Sequence, residues 1–143
     1  MNFIEVIGGS KDRRDVAKET TNWFLKNYLP RFRTLDITIN LIGCYKSENR
    51  LYGQCVVIDN AHREFEIDID KNLRLFDFVS TLCHELIHLK QYARFEMKDV
   101  DANKIRWKAS IFKDTIMYDD APWEKEAYKL DVKLAKKCFE DVL

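Results

Sequence analysis

The sequence predicts a single α+β domain over residues 1–143, in which one helix is followed by strands and then by two more helices. Apolar residues recur at helical spacing in residues 12–29, in residues 75–95 and after Pro122, whereas three runs between the first two segments alternate apolar and polar residues. The length of 143 residues suits one hydrophobic core, and a hydrophobic content of 46% fits a packed globule.

The first part of the chain predicts a short strand and a helix. Residues 2–7 favour a strand that ends at Gly8 and Gly9, and Ser10 is a suitable N-cap for the helix that follows. Pro30 ends the helical pattern. We expect this helix to cover one face of a sheet.

Three strand-like runs follow, at residues 35–44, 51–58 and 63–70. The third alternates most clearly, so we expect one set of side chains to point inward (Phe65, Ile67 and Ile69) and the other to point outward (Glu64, Glu66, Asp68 and Asp70). Polar turns at residues 46–49 and 59–61 join the runs, and short turns connect antiparallel neighbours. The predicted sheet therefore has three to four strands and is mainly antiparallel.

Two helices complete the prediction. The first spans residues 75–95, and the second begins near Pro122, a residue that suits the first helical turn. Its apolar stripe contains Trp123, Ala127, Leu130, Leu134 and Cys138. The intervening residues 96–121 are the least regular part of the chain, although their apolar and aromatic residues indicate some packed structure.

Charge and cysteine content give no sign of a polyanionic partner or of a C-x-x-C site. The 24 basic and 24 acidic residues give a formal net charge of +0, so nothing demands a polyanionic partner. None of the four cysteines forms a C-x-x-C pair, and we expect reduced thiols, although Cys44 and Cys55 could face each other on neighbouring strands. The sequence shows no signal segment and no apolar run of membrane length, which predicts a soluble, cytoplasmic protein without a membrane partner. The oligomeric state stays open.

The central motif is His84-Glu85-x-x-His88, inside the predicted helix at residues 75–95. Residues four apart lie on one helical face, roughly 5–6 Å apart at Cβ, so both imidazoles can reach one metal ion. Glu85 is offset by about 100° and can instead reach a water at that ion as a general base. The motif uses two of the three histidines in the chain, and its neighbours are apolar, so these imidazoles are expected to be buried and to need a partner.

A catalytic zinc site needs a third protein ligand, and the residues alone leave its identity open. His62 lies at a turn, where we expect an exposed side chain. Glu124 and Glu126 both lie at the start of the last helix and border opposite edges of its apolar stripe. Helical geometry does not separate these two carboxylates.

Two stretches resemble known metallopeptidases. His84-Glu85-Leu86-Ile87-His88, followed by a helix with Glu126-Ala127, is similar to minimal zincin-type enzymes, in which the Glu of a Glu-Ala pair is the third zinc ligand. The run from Thr81 to Tyr92, together with the Pro-Trp-Glu-x-Glu-Ala sequence that starts at Pro122, resembles SprT-like proteins and metallopeptidases often encoded in phage genomes. SprT-like enzymes use a third histidine, and no histidine follows His88 here, so the glutamate-ligand type is the better match.

The resemblance implies a zincin-like fold and zinc-dependent hydrolysis of a peptide or protein substrate. Zinc would be held by His84, His88 and Glu126, with Glu85 as the general base. Tyr118 is the candidate electrophilic donor, and Tyr92 also lies on the ligand face, although the sequence favours a packing role for both aromatic rings. In zincins the strand beside the active helix binds the extended substrate. Here that would be residues 63–70, whose acidic side chains either favour basic substrates or form an ordinary solvated strand face.

A hydrogen-bonded carboxylate would orient a ligand imidazole, and Asp131 and Asp77 are both candidates.

Three other interpretations remain. The chain could be a non-catalytic zincin-fold binding protein that acts on a host or partner protein. The intact Glu85 argues against this, because an active site that has lost its activity has no need of a general base. It could carry a closed structural zinc site with His62 or Glu124 as the fourth donor. Residues 98–113 contain a basic run with Trp107, but Asp99 and Asp101 dilute it, so we do not expect a nucleic-acid partner while leaving one open.

Overall fold

The computed structural model describes residues 1–43 and 52–143. Three α-helices are present in these ranges: α1 (Lys11–Tyr28), α2 (Leu75–Ala93) and α3 (Pro122–Asp141). A short 3-10 helix, Tyr118–Asp120, precedes α3. The described strands are β1 (Phe3–Ile7), β2 (Asp36–Ile42), β3 (Gly53–Val57), β4 (Glu64–Asp70), β5 (Met97–Asp101), β6 (Lys104–Trp107) and β7 (Ser110–Lys113).

The predicted first strand and helix are confirmed. Gly8 and Gly9 have φ values of 88° and 66°, a left-handed conformation that glycine adopts without steric cost, and they turn the chain from β1 into α1. The Ser10 hydroxyl caps α1 by accepting a hydrogen bond from the Arg13 backbone N–H at 3.2 Å. The helix crosses over the sheet and returns the chain to β2, which pairs parallel with β1.

The main sheet has the strand order β1-β2-β4-β3, and the expectation of a mainly antiparallel sheet is wrong. β1 with β2 and β2 with β4 are parallel pairs, whereas only β3 with β4 is antiparallel. The inference from short turns holds for the β3–β4 hairpin. It fails for β2 and β3, which are separated in the sheet by β4, because the ten residues between Ile42 and Gly53 do not require the two strands to be neighbours. The predicted turn at residues 46–49 and Cys44 lie outside the described residues.

β4 is therefore an internal strand. Phe65, Ile67 and Ile69 are almost fully buried against the helices, as the alternation predicts. On the opposite face the Asn40 side-chain amide donates hydrogen bonds to Glu66 at 2.8 Å and Asp68 at 3.0 Å.

Asp70 departs from the outward orientation expected of the acidic residues in β4. It is only 5% exposed, and its Oδ1 accepts a hydrogen bond from the Asn72 backbone N–H. The turn after β4 supplies this donor, so the alternation in the sequence does not decide the environment of the last strand residue.

Residues 97–113 form a second, antiparallel sheet in the order β5-β6-β7. Its strands have only four or five residues each, too few for a clear alternation in the sequence. A small apolar cluster (Met97, Trp107, Ala121 and Trp123) joins this sheet to the start of α3. The second sheet therefore lies beside the segment that contributes Glu124.

α2 is the central helix of the fold. It packs against α1, α3 and the inner side of the main sheet, and residues 82–89 are all buried, including both motif histidines. This burial explains why the motif lies in an apolar sequence. Within the described ranges, no helix combines the length and apolarity needed to cross a membrane.

Candidate metal centre

Three side chains from two helices converge on one point. His84 and His88 lie one turn apart on α2, and Glu124 lies in the first turn of α3. Oε1 of Glu124 is 3.0 Å from Nε2 of His84 and 3.0 Å from Nε2 of His88. The two histidines are 6% and 7% exposed, so the convergence point is largely shielded from solvent.

The outer nitrogen of each imidazole is held by a different partner. Nδ1 of His84 lies 3.1 Å from Oδ2 of Asp131, and since a carboxylate only accepts, this nitrogen donates. Nδ1 of His88 lies 2.7 Å from Oε1 of Gln91. The Gln91 amide nitrogen donates to the Trp123 carbonyl at 3.0 Å and to Oε1 of Glu126 at 3.1 Å, which turns its oxygen towards His88.

These contacts place the proton of each neutral imidazole on Nδ1. The two Nε2 lone pairs then face the same carboxylate oxygen, so three acceptors meet with no donor between them. A cation at their centre satisfies all three. Two imidazoles and one carboxylate are a donor set that suits zinc, and their outer hydrogen bonds are those that orient metal-binding histidines. The residues present therefore fit a divalent metal ion.

The electrostatics of this cluster favour positive charge at its centre. Burial alone would lower the pKa of His84, but the carboxylates of Asp131 and Glu124 outweigh it and raise that pKa to about 9. The pKa of His88 is also raised because Glu124 outweighs the effect of burial. Burial would raise the pKa of Glu124, yet the side chains of His84 and His88, which donate to it from Nε2 when they are protonated, lower it to about 2. The cluster attracts a proton in the absence of a metal ion.

Glu85 lies beside the ligand group without belonging to it. The group of potential ligand atoms within 4.8 Å of one another in the described part of the chain contains only His84, His88 and Glu124. Glu85 is 6% exposed, and burial raises the pKa of its carboxyl to about 7, although the neighbouring histidines oppose the shift. A carboxyl that titrates near neutral pH is well suited to general acid–base chemistry.

The structure brings Glu124, and not Glu126, to the histidines. Glu126 was expected as the third ligand from the Glu-Ala resemblance, but its carboxylate accepts a hydrogen bond from Gln91 instead. Trp123 and Ala127 are buried and fix the rotation of α3, which turns Glu124 towards α2. A sequence signal was present, because Glu124 and Asp131 are seven residues apart and so share one helical face.

Two tyrosines border the site on the side of His84. The Tyr128 hydroxyl donates to the Tyr118 hydroxyl at 3.1 Å, and the Tyr128 ring packs 4.6 Å from the His84 ring. Burial and the nearby Glu124 carboxylate raise the pKa of Tyr118. Tyr118 thus keeps its proton at neutral pH. The sequence analysis did not single out Tyr128.

The remaining candidates are placed away from the ligand group or in its walls. Asp131 faces His84, whereas Asp77 is exposed. Tyr92 lines a cavity beside His88 and packs edge-to-face against the His62 ring.

His62 is 5% exposed, so the expectation of an exposed turn residue is wrong. Its ring stacks on Phe95 with 4.2 Å between centroids, and Nδ1 lies 2.7 Å from the Tyr92 carbonyl. The aromatic residues at the end of α2 cover this side chain. Its position supports packing around the helix terminus and gives no support to a role as fourth donor.

The strand at the edge of the site is β3, which corrects the expectation for residues 63–70. β4 is paired on both sides, so it has no free edge for a substrate, and its acidic side chains lie on the face opposite the helices. Among the described residues, β3 is the edge strand on this side of the sheet, and Gly53 packs against Thr81 of α2. A Cβ atom at Gly53 would meet the Asp68 carbonyl oxygen at 2.9 Å and Thr81 Cγ2 at 3.1 Å.

Comparison of the chain with protein-family models, with curated proteins and with solved structures finds no match. The functional conclusion therefore depends on the geometry of the His84, His88 and Glu124 group.

Proposed function

We propose that this chain is a zinc-dependent peptidase with a zincin-like arrangement, in which His84, His88 and Glu124 hold the metal ion. The single observation that carries the proposal is the position of Glu124 Oε1, 3.0 Å from Nε2 of both histidines, beside the buried Glu85. Three protein donors also leave a coordination position open, which favours a catalytic over a structural site.

The bound ion would supply Lewis acidity, which lowers the pKa of water towards about 7 and polarises a carbonyl group. Glu85 would accept the proton of the attacking water on its carboxylate and later pass it to the leaving amine. Its raised pKa of about 7 suits both halves of this transfer. Tyr118, which keeps its proton, would donate a hydrogen bond to the oxygen that becomes negatively charged.

The edge of β3 would hold the substrate backbone. Gly53 lines both cavities next to Glu85, so an extended peptide paired with β3 would pass directly over the general base. Main-chain hydrogen bonds of this kind give affinity without requiring a particular side chain.

The test combines metal content with activity. We expect about one zinc ion per chain by mass spectrometry in the wild-type protein and in Glu85→Gln, because Glu85 is not a ligand. Cleavage of an unstructured protein such as casein should be lost in Glu85→Gln by about 10²–10⁴-fold. Zinc binding without any cleavage in a broad peptide library would instead favour a non-catalytic binding protein. Absence of zinc uptake would overturn the metal centre itself.

A further inference from the structure

Two cavities open on either side of Glu85, and both are bordered by Gly53, Glu85 and Tyr118. The cavity beside His84 has a volume of about 110 Å³. The cavity beside His88 has a volume of about 160 Å³. A substrate that crosses Glu85 would therefore pass both cavities.

The walls of the two cavities differ in chemistry. Apart from the residues they share, the cavity beside His84 is lined by hydroxyl and carboxyl groups (Tyr52, Ser80, Thr81, Tyr128 and Asp131). The cavity beside His88 has polar groups of its own at Gln54, His88 and Glu124, but its other unshared residues carry large apolar, aromatic or thiol side chains (Cys55, Tyr92, Met97, Ile105 and Trp123). Met97 and Trp123 belong to the buried cluster of the second sheet, and Ile105 packs against it. The second sheet thus contributes Met97 and Ile105 to the lining of this cavity.

We propose that the cavity beside His88 is a specificity pocket for an apolar side chain of the peptide substrate, contributed by the residue on the N-terminal side of the cleaved bond. This inference rests on the proposed peptidase function and adds a substrate class to it. A pocket of about 160 Å³ is comparable with an apolar cavity of about 150 Å³ that binds benzene, so a leucine-sized group fits.

The direction follows from the edge strand. Along β3 the polar cavity borders Tyr52 and Gly53, whereas the apolar cavity extends along Gln54 and Cys55. Antiparallel pairing is the more stable arrangement for an added strand. An antiparallel substrate has its N-terminal part beside Cys55 and its C-terminal part beside Tyr52. The residue before the cleaved bond therefore faces Met97 and Ile105.

The test measures binding to the zinc-loaded protein by calorimetry, with three hydroxamates as metal-chelating ligands. Acetohydroxamate has no side chain, whereas N-acetyl-leucine hydroxamate and N-acetyl-serine hydroxamate carry one on the N-terminal side of the chelating group. Burial of a leucine side chain predicts binding about tenfold or more tighter for the leucine compound than for the other two. Equal affinity of the leucine and serine compounds, within about twofold, would overturn the pocket.

Two variants test whether the cavity beside His88 causes the tighter binding of the leucine compound. Ile105→Ser should remove most of the leucine advantage while leaving acetohydroxamate binding unchanged. Ile111→Ser is the matched control, since Ile111 is 55% exposed on β7 and does not line the cavity. Loss of the advantage in both variants, or in neither, would contradict the pocket. Failure of all three hydroxamates to bind would instead overturn the metal centre, and the specificity pocket with it.

Discussion

Oε1 of Gln91 lies 2.7 Å from Nδ1 of His88, so a neutral amide holds this imidazole. His84 is held by the Asp131 carboxylate, and the two ligand histidines therefore have partners of different charge. A carboxylate partner raises the basicity of a ligand imidazole more than an amide does. In the proposed metal centre, His84 would be the more basic ligand, and Glu126 would act indirectly through Gln91.

Alanine substitution of each glutamate in turn tests which of Glu124 and Glu126 is the third metal ligand. We expect Glu124→Ala to lose the zinc ion, because it removes the oxygen that lies between both Nε2 atoms. Glu126→Ala should keep about one zinc per chain, since it removes only an acceptor for Gln91. Metal content by mass spectrometry on matched preparations measures both. The opposite outcome, with zinc lost only in Glu126→Ala, would identify Glu126 as the third ligand, as the Glu-Ala resemblance predicts.

Replacement of Gln91 tests the outer hydrogen bond of His88. Gln91→Leu keeps the approximate volume and removes both the acceptor for His88 and the donor to Glu126. Partners of this kind typically contribute 10–100-fold to metal affinity, so we expect zinc affinity to fall by about that factor. Competition with a chelator of known affinity measures it. Glu126→Gln is the control, because it keeps an acceptor for Gln91 and should change affinity much less.

Removal of the Tyr118 hydroxyl tests its role as a hydrogen-bond donor in catalysis. Tyr118→Phe should lower kcat by about 10²–10³-fold, the usual cost of one donor to a developing oxyanion, while zinc content stays unchanged. Tyr128→Phe removes only the hydrogen bond that Tyr118 accepts, and a smaller loss is expected. An unchanged kcat in Tyr118→Phe would show that Tyr118 is a packing residue.

Gly53→Ala tests the close approach of β3 to α2. The added methyl group would lie 2.9 Å from a backbone oxygen of β4, which cannot move without displacing the strand. Overpacking of this kind costs about 1–3 kcal/mol, so denaturant unfolding should show a loss in that range. Gly43→Ala is the control, because the nearest described atoms to its methyl group would be the flexible side-chain ends of Lys71 at 3.3 Å and Asn72 at 3.9 Å. Equal stability of the two variants would contradict the tight contact.

The sequence predicts much of this fold because the strongest patterns are local. The helix spacing before Pro30, the alternation around Phe65 and the motif at His84 each depend on residues close in the chain, and all three lie in the expected elements. Strand order depends on which segments become neighbours across long connections, and no local pattern encodes it. The same reason accounts for the unexpected central position of β4.

The choice between Glu124 and Glu126 shows a second limit. Both carboxylates border the apolar stripe of α3, and the rotation of the helix against α2 decides which one reaches the histidines. Burial of Trp123 and Ala127 fixes this rotation, and the network around Gln91 occupies Glu126. His62 is misjudged for a related reason, since Phe95 and Tyr92 cover it from a distant part of the chain.

The stability of the metal-free protein should fall as pH rises from about 6.5 to 9. The folded-state pKa of His84 is about 9, above its ordinary value of 6.5, so its contribution is complete below 6.5 and is lost as pH rises through 9. Glu85 acts in the same direction at lower pH, because burial raises its pKa from 4.5 to about 7, so its contribution is lost as pH rises from 4.5 through 7. Thermal unfolding with a chelator present measures this slope, and His84→Gln should reduce it.

Zinc competes with these protons, so the stabilisation by added zinc should grow over the same interval. A Tm that stays constant or rises with pH in the metal-free protein would contradict the charge distribution described for the site.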